Sequence, residues 1–246
     1  MSRSNPSTAT SPAIRFFEWA AEKGELRYYD KEASENVTVK LPFAFLVLDE
    51  VSQVGGGVKV NGKFDGYWSN AVKNLNTQII TVKSKAGIVA QGLYAELKER
   101  KGLHYVKGLY IAFYDEEKTL QIGFLKFKGS SLGAWFDFAK DHRNLYNGAF
   151  SIKRKSEAVA GDNGDYYTPV FVHKADISEE SDTAAKALDA ELQEYLTAYF
   201  SHKGTEDYTE PEFAGPKAMA VGESSIKEYV APTSLNDLDD DESIPF

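Results

Sequence analysis

The sequence predicts a mainly β fold, with one helix set between strands and a second helix closing the domain. Three observations carry this. Short runs rich in aromatic and β-branched residues recur along the chain, separated by turns containing Gly, Asn or Pro. Only two long segments, one after Gly129 and one around Leu192, carry apolar residues at helical spacing. The 246 residues, 42% hydrophobic and 13% aromatic, suffice for one sizeable domain with extensions.

The elements follow in order. Ile14–Trp19 and Glu25–Tyr29 are aromatic-rich strands, and Val37–Lys40 alternates up to the stop at Pro42. Phe43–Leu48 is nearly all apolar and reads as a buried central strand. Asn61-Gly62, between Val58–Val60 and Lys63–Phe64, is a hairpin signal. Gly57 to Lys63 also has the Gly-x4-Gly-Lys spacing of a phosphate loop. Phe64 stands where a hydroxyl would hold magnesium, however, and Asp65-Gly66-Tyr67-Trp68 cannot open a helix, so the hairpin is preferred.

Strands are expected at Gln78–Lys83 and Ile88–Tyr94. In the stretch Lys98–Tyr114, Leu109, Ile111 and Phe113 share one strand face while Tyr110 and Tyr114 share the other. Asp115–Lys118 turns into a strand at Leu120–Phe127. A helix then opens with Ser130 or Ser131 as N-cap and buries Leu132, Trp135, Phe136 and Ala139. Strands at Ala149–Lys155 and Tyr166–His173 come next. The last helix, about residues 182–201, puts Leu188, Leu192, Tyr195, Leu196 and Tyr199 on one side and stops at Gly204. Strands, one helix and two more strands is the order of an OB-fold, a small barrel whose helix bridges the third and fourth strands. Residues 106–173 fit it, with the first strand supplied by Phe43–Leu48 or by Ile79–Tyr94. The additional N-terminal strands are expected to extend that barrel or cover one end.

Composition bounds the chemistry. Without cysteine there is no disulfide, thiolate metal site or Cys nucleophile, as a reducing cytosol permits. No run approaches the roughly 18 apolar residues of a membrane span, so a soluble, cytoplasmic protein without membrane contact is expected. Residues 1–12 lack an apolar signal region and read as a disordered arm. The net charge of −9 is uneven. Residues 203–246 hold 11 acids and 3 bases, leaving the preceding body nearly neutral. Within that body, Lys83–Lys155 carries 14 bases against 7 acids. Residues 13–202 are therefore read as the domain, and 203–246 as a disordered acidic tail.

A basic middle interleaved with aromatics suits single-stranded nucleic acid, where cations track phosphates and each stacked base contributes about 1–3 kcal/mol. Lys98, Arg100, Lys101, Tyr105, Lys107, Tyr110 and Tyr114 supply both kinds of group. Lys126, Lys128, Lys153, Arg154 and Lys155 add charge from neighbouring strands, and Trp68 adds an aromatic face. Lysines and tyrosines also occupy ordinary solvated strand faces. A magnesium-dependent nuclease is the alternative, from Glu96-Leu97-Lys98 with Asp65 as a metal ligand; a purely protein-binding adaptor is another. The four histidines lack metal-ligand spacing, no Gly-x-Ser-x-Gly elbow occurs, and neither catalysis nor a cofactor is expected.

The tail ends Asp239-Asp240-Asp241-Glu242-Ser243-Ile244-Pro245-Phe246. Apolar tip residues can each contribute about 1.5–3 kcal/mol in a partner's pocket, while the acids steer the tip to basic surfaces. This tip resembles that of bacterial single-stranded DNA-binding proteins, with Glu242 and Ser243 as a departure between the Asp run and Ile-Pro-Phe. With the OB-like order and the basic middle, the chain looks like a phage-type single-stranded DNA-binding protein. The resemblance implies protection of exposed DNA in replication, recombination or repair. It also implies that Asp239, Asp240, Asp241, Ile244, Pro245 and Phe246 recruit partner proteins. The bacterial tetramer is not implied, because the core here is longer; a homodimer is compatible with the reading. Competition between the acidic tail and DNA for the basic body is a further expectation.

Overall fold

The computed structural model describes residues 10–142, 144–161 and 164–201. Most of the 1–12 arm and all of the 203–246 tail, including Asp239, Asp240, Asp241, Ile244, Pro245 and Phe246, lie outside them.

The chain begins with β1 (Arg15–Ala20), β2 (Glu25–Asp30) and β3 (Glu35–Val39), joined as antiparallel neighbours. β4 (Phe43–Val60) is the longest strand, and β5 (Lys63–Ser69) folds back on its second half. Asn61 and Gly62 between them both have positive φ, 50° and 78°, as the Asn-Gly hairpin turn requires. β6 (Ile80–Ser84), β7 (Gly87–Gly92) and the one-turn helix α1 (Tyr94–Leu97) follow. Then come β8 (Leu103–Tyr114), β9 (Leu120–Lys128), helix α2 (Ser130–Lys140), β10 (Gly148–Lys155), β11 (Pro169–Asp176) and helix α3 (Glu179–Ser201).

The strands form one open mixed sheet in the order β3-β2-β1-β9-β8-β4-β5-β6-β7, with β10 and β11 branching from β4. β1 runs parallel to β9, and the other pairings are antiparallel. β4 organises the sheet. One edge pairs with β8, while the other pairs first with β10 and then with β5. A bulge between Val47 and Asp49 adds a residue to the strand and reverses its alternation. Phe43, Phe45 and Val47 thus enter one core and Val51 enters the core on the opposite face.

Both faces of the central sheet are covered. Phe17, Trp19, Phe45, Leu109, Ile111, Phe113, Leu125 and Phe127 meet Leu132 and Trp135 of α2. On the other face Val51, Tyr110, Ala112 and Phe124 pack beneath Ala185, Leu192, Tyr195, Leu196 and Tyr199 of α3. Burying a side chain such as Leu192 contributes about 2 kcal/mol. The Tyr199 hydroxyl accepts the Ala71 N–H at 2.7 Å, tying α3 to the segment after β5. A third core joins Val54, Ile80, Val82, Tyr94, Leu97 and Leu103 at the far end.

Three local expectations change. α2 is preceded by Gly129, φ 54°, without a side-chain cap; Ser131 Oγ instead donates to Lys128 O at 2.8 Å. Tyr94 belongs to α1 and not to the strand before it, since Gly92, φ 158°, ends β7. The strand from Phe43 runs on to Val60, so one strand spans what reads in sequence as a strand and a separate hairpin arm. Among the described residues no helix is long and apolar enough to cross a membrane.

Candidate nucleic-acid interface

Alternation along β5 sends Phe64, Gly66 and Trp68 to one face of the sheet and Tyr67 to the third core on the other. Cross-strand register extends the Trp68 position into a row. Trp68 lies opposite Gly55 of β4 and Lys83 of β6; Gly55 in turn faces His104 of β8, and Lys83 faces Ile88 of β7. Directly paired residues share a face, so His104, Trp68, Lys83 and Ile88 line up across five strands. Trp68 is 38% exposed, Ile88 66% and Phe64, opposite Lys59, 58%.

Bare backbone underlies these rings. Gly57 pairs with Gly66, and Gly55 with Trp68. A Cβ on Gly57, whose φ is +154°, would lie 2.6 Å from Phe64 Cζ and 2.4 Å from Asp65 O, so only glycine lets that ring lie against the strand. The Gly57 N–H also donates to Gly102 O at 2.9 Å, which draws the turn between α1 and β8 against β4. Exposed Lys98, Arg100 and Lys101 belong to that turn, which leads into His104 of β8.

Alternate residues of β8 (His104, Val106, Gly108 and Tyr110) continue the same face. Lys128 pairs with Val106 and Lys126 with Gly108. α3 covers the Tyr110 end. Next to Lys126, Glu18 of β1 accepts Arg27 Nε and Nη2 at 2.9 and 2.6 Å and lies 4.0 Å from Lys128 Nζ. Burial pushes the Glu18 carboxyl pKa up, but Lys128, Arg27 and Lys126 together outweigh it and hold it below the ordinary value.

Three expected contact residues are withdrawn from this surface. Tyr110 is 6% exposed because α3 roofs its face; its ring meets Phe124 at 4.9 Å and Tyr195 at 6.4 Å. Lys107, 7% exposed, pairs with Glu50 at 3.0 Å. Tyr105 stacks on Phe136 of α2 and shares a 3.0 Å hydrogen bond with Ser52 Oγ. Alternation alone does not reveal which strand faces a helix covers. Tyr114 is 63% exposed but sits ten residues along β8 from His104, roughly 30 Å at the rise of a strand.

Lys153, Arg154 and Lys155 are exposed at the end of β10. Lys155 Nζ lies 4.1 Å from the Tyr167 ring centroid, beside the β1–β2 turn, where a Cβ on Gly24 would meet Lys155 Cδ. The face thus unites Trp68, Lys126 and Lys128 and leaves Lys153, Arg154 and Lys155 of β10 as a separate group. The sequence reading missed Phe64, Lys59, Lys83, Ile88 and His104. Their signal was the alternation Phe64-x-Gly66-x-Trp68 beside Gly55-x-Gly57, legible only once β4 and β5 are paired. Of the alternative nuclease residues, Glu96 Oε2 accepts the Leu93 N–H at 3.1 Å as a helix cap, and Asp65 lies in β5 opposite Val58. Among the described residues no group of three or more His, Asp or Glu side chains is placed to hold a metal ion. No protein family, curated protein or solved structure matches this chain.

Proposed function

We propose that this chain binds and protects single-stranded DNA across the Phe64–Trp68 face. In this reading its acidic tip, Asp239, Asp240, Asp241, Ile244, Pro245 and Phe246, recruits replication or recombination proteins. The observation that carries it is the pair of exposed rings on glycine backbone, with Lys59 and Lys83 in register beside them. Aromatic faces take bases of any identity, and lysines follow the phosphates. Duplex DNA keeps its bases stacked inside and offers such rings little. Lys126, Lys128, Lys98, Arg100 and Lys101 lengthen the cationic path.

The strand pairings support an OB-like reading of the core. β4 pairs with both β8 and β10, α2 stands between β9 and β10, and β11 returns beside β10. β1 then lies on β9 as an added parallel strand, and β5–β7 carry the proposed face outward from β4.

The test is a fluorescence titration of full-length protein against single-stranded and duplex oligonucleotides at two salt concentrations. Expected are a preference for the single strand and a log–log salt slope of about −0.7 per phosphate contact. Absence of binding at low salt, or binding indifferent to salt, overturns the proposal. Magnesium-dependent loss of the oligonucleotide would favour a nuclease.

A further inference from the structure

The open sheet ends in two unlike edges. β3 at one end reads Glu-Asn-Val-Thr-Val and is followed by Lys40 and Pro42, the charges and proline that discourage strand addition. β7 at the other reads Gly-Ile-Val-Ala-Gln-Gly, with neither charge nor proline. Among the described residues β7 pairs with β6 alone, so one row of its backbone N–H and C=O groups faces outward. Ile88 is exposed on it, as are Gly87 and Gln91.

Opposite charges mark the two ends of this strand. Exposed Lys85 occupies the turn before Gly87. At the far end the Glu96 carboxylate stands over Gly92: a Cβ there would lie 2.5 Å from Glu96 Oε2. A strand cationic at its start and anionic at its finish complements its own reversed copy.

We infer that β7 is a homodimerisation edge, pairing antiparallel with β7 of a second copy about a two-fold axis perpendicular to the sheet. The extra residue of the bulge at Val89 puts Ile88 and Gln91 on one face and Gly87 and Gly92 on the other. A pairing centred between Val89 and Ala90 therefore sets Ile88 opposite Gln91 and Gly87 opposite Gly92. It also brings Lys85 of each copy to the Glu96 end of the other. An antiparallel pair related by such an axis keeps equivalent faces on one side. The two rows of Trp68, Lys83 and Ile88 therefore join into one continuous face. That consequence rests on the proposed DNA binding; the strand pairing does not.

Sedimentation velocity of the full chain over a wide concentration range tests it without DNA. A reversible monomer–dimer equilibrium is expected. Ile88→Lys places a charge on the open edge, and Lys85→Glu sets acid against acid. Each substitution occurs twice in a symmetric interface, so the dissociation constant should rise about tenfold. Circular dichroism should show both variants folded, since both positions are exposed. A monomer at every concentration, or a dimer that neither variant weakens, overturns the inference. A β7 dimer that fails to bind oligonucleotide leaves the inference standing and removes the DNA reading instead.

Discussion

Lys107 Nζ lies 3.0 Å from Glu50 Oε2, with both side chains largely withdrawn from solvent between β8 and β4. Burial favours neutral lysine, but Tyr105 and Glu50 outweigh it and raise the Lys107 pKa. Lys107→Met would leave the Glu50 carboxylate without this partner. The expected cost is about 3 kcal/mol, read as a lower urea midpoint. The salt slope of oligonucleotide binding should not change; loss of one phosphate contact would show that Lys107 reaches DNA after all.

Tyr110 separates packing from recognition in a second way. Its ring stands between Phe124 of β9 and Tyr195 of α3, so Tyr110→Ala opens a cavity under the helix. A loss of about 3 kcal/mol or more in unfolding free energy is expected. Affinity measured well below the melting transition should stay close to that of the parent. Weaker binding at full stability would place a base against this side chain.

These two residues show what the sequence could convey. The period-2 pattern of Leu109, Ile111 and Phe113 against Tyr110 and Tyr114 is physically correct, and the apolar sides of α2 and α3 are where the helical spacing puts them. The pattern says only that a strand has two faces. Whether a helix from the far end of the chain roofs one of them depends on contacts between residues more than 80 apart, such as Tyr110 with Tyr195. Lys107 illustrates the same limit for charge, since its partner Glu50 is brought beside it by pairing across β4. Phe64 was hidden for the opposite reason: its ring lies against Gly57 of β4, which carries no side-chain signal.

Phe64→Ala and Trp68→Ala should each weaken single-strand binding by about 1–3 kcal/mol if the ring stacks on a base. Both rings are substantially exposed, so unfolding free energy should shift little beside the binding loss. Gly66→Val, directly between them, should also weaken binding by placing a branched side chain in the trough. Unchanged affinity in both alanine variants would move the bases to another face.

Glu18 is set among Lys126, Lys128 and Arg27, and its lowered pKa predicts how the face responds to pH. A carboxylate whose folded pKa lies below the unfolded value of about 4.5 stabilises the protein above that value. The contribution is lost as pH falls through the lower folded pKa. In Glu18→Gln this term is absent, so the stability gap from the parent should close on acidification and narrow in high salt. At neutral pH the gap should be about 1 kcal/mol or less, because the ion pair is partly exposed. DNA binding should move the other way. Glu18 competes with phosphate for Lys128, 4.0 Å away, so Glu18→Gln should tighten binding several-fold at low salt. In the parent, phosphates near Lys128 should raise the Glu18 pKa, so affinity should increase as pH falls through its titration. A Glu18→Gln variant that binds no more tightly, with the same pH profile as the parent, would place the phosphates away from β9.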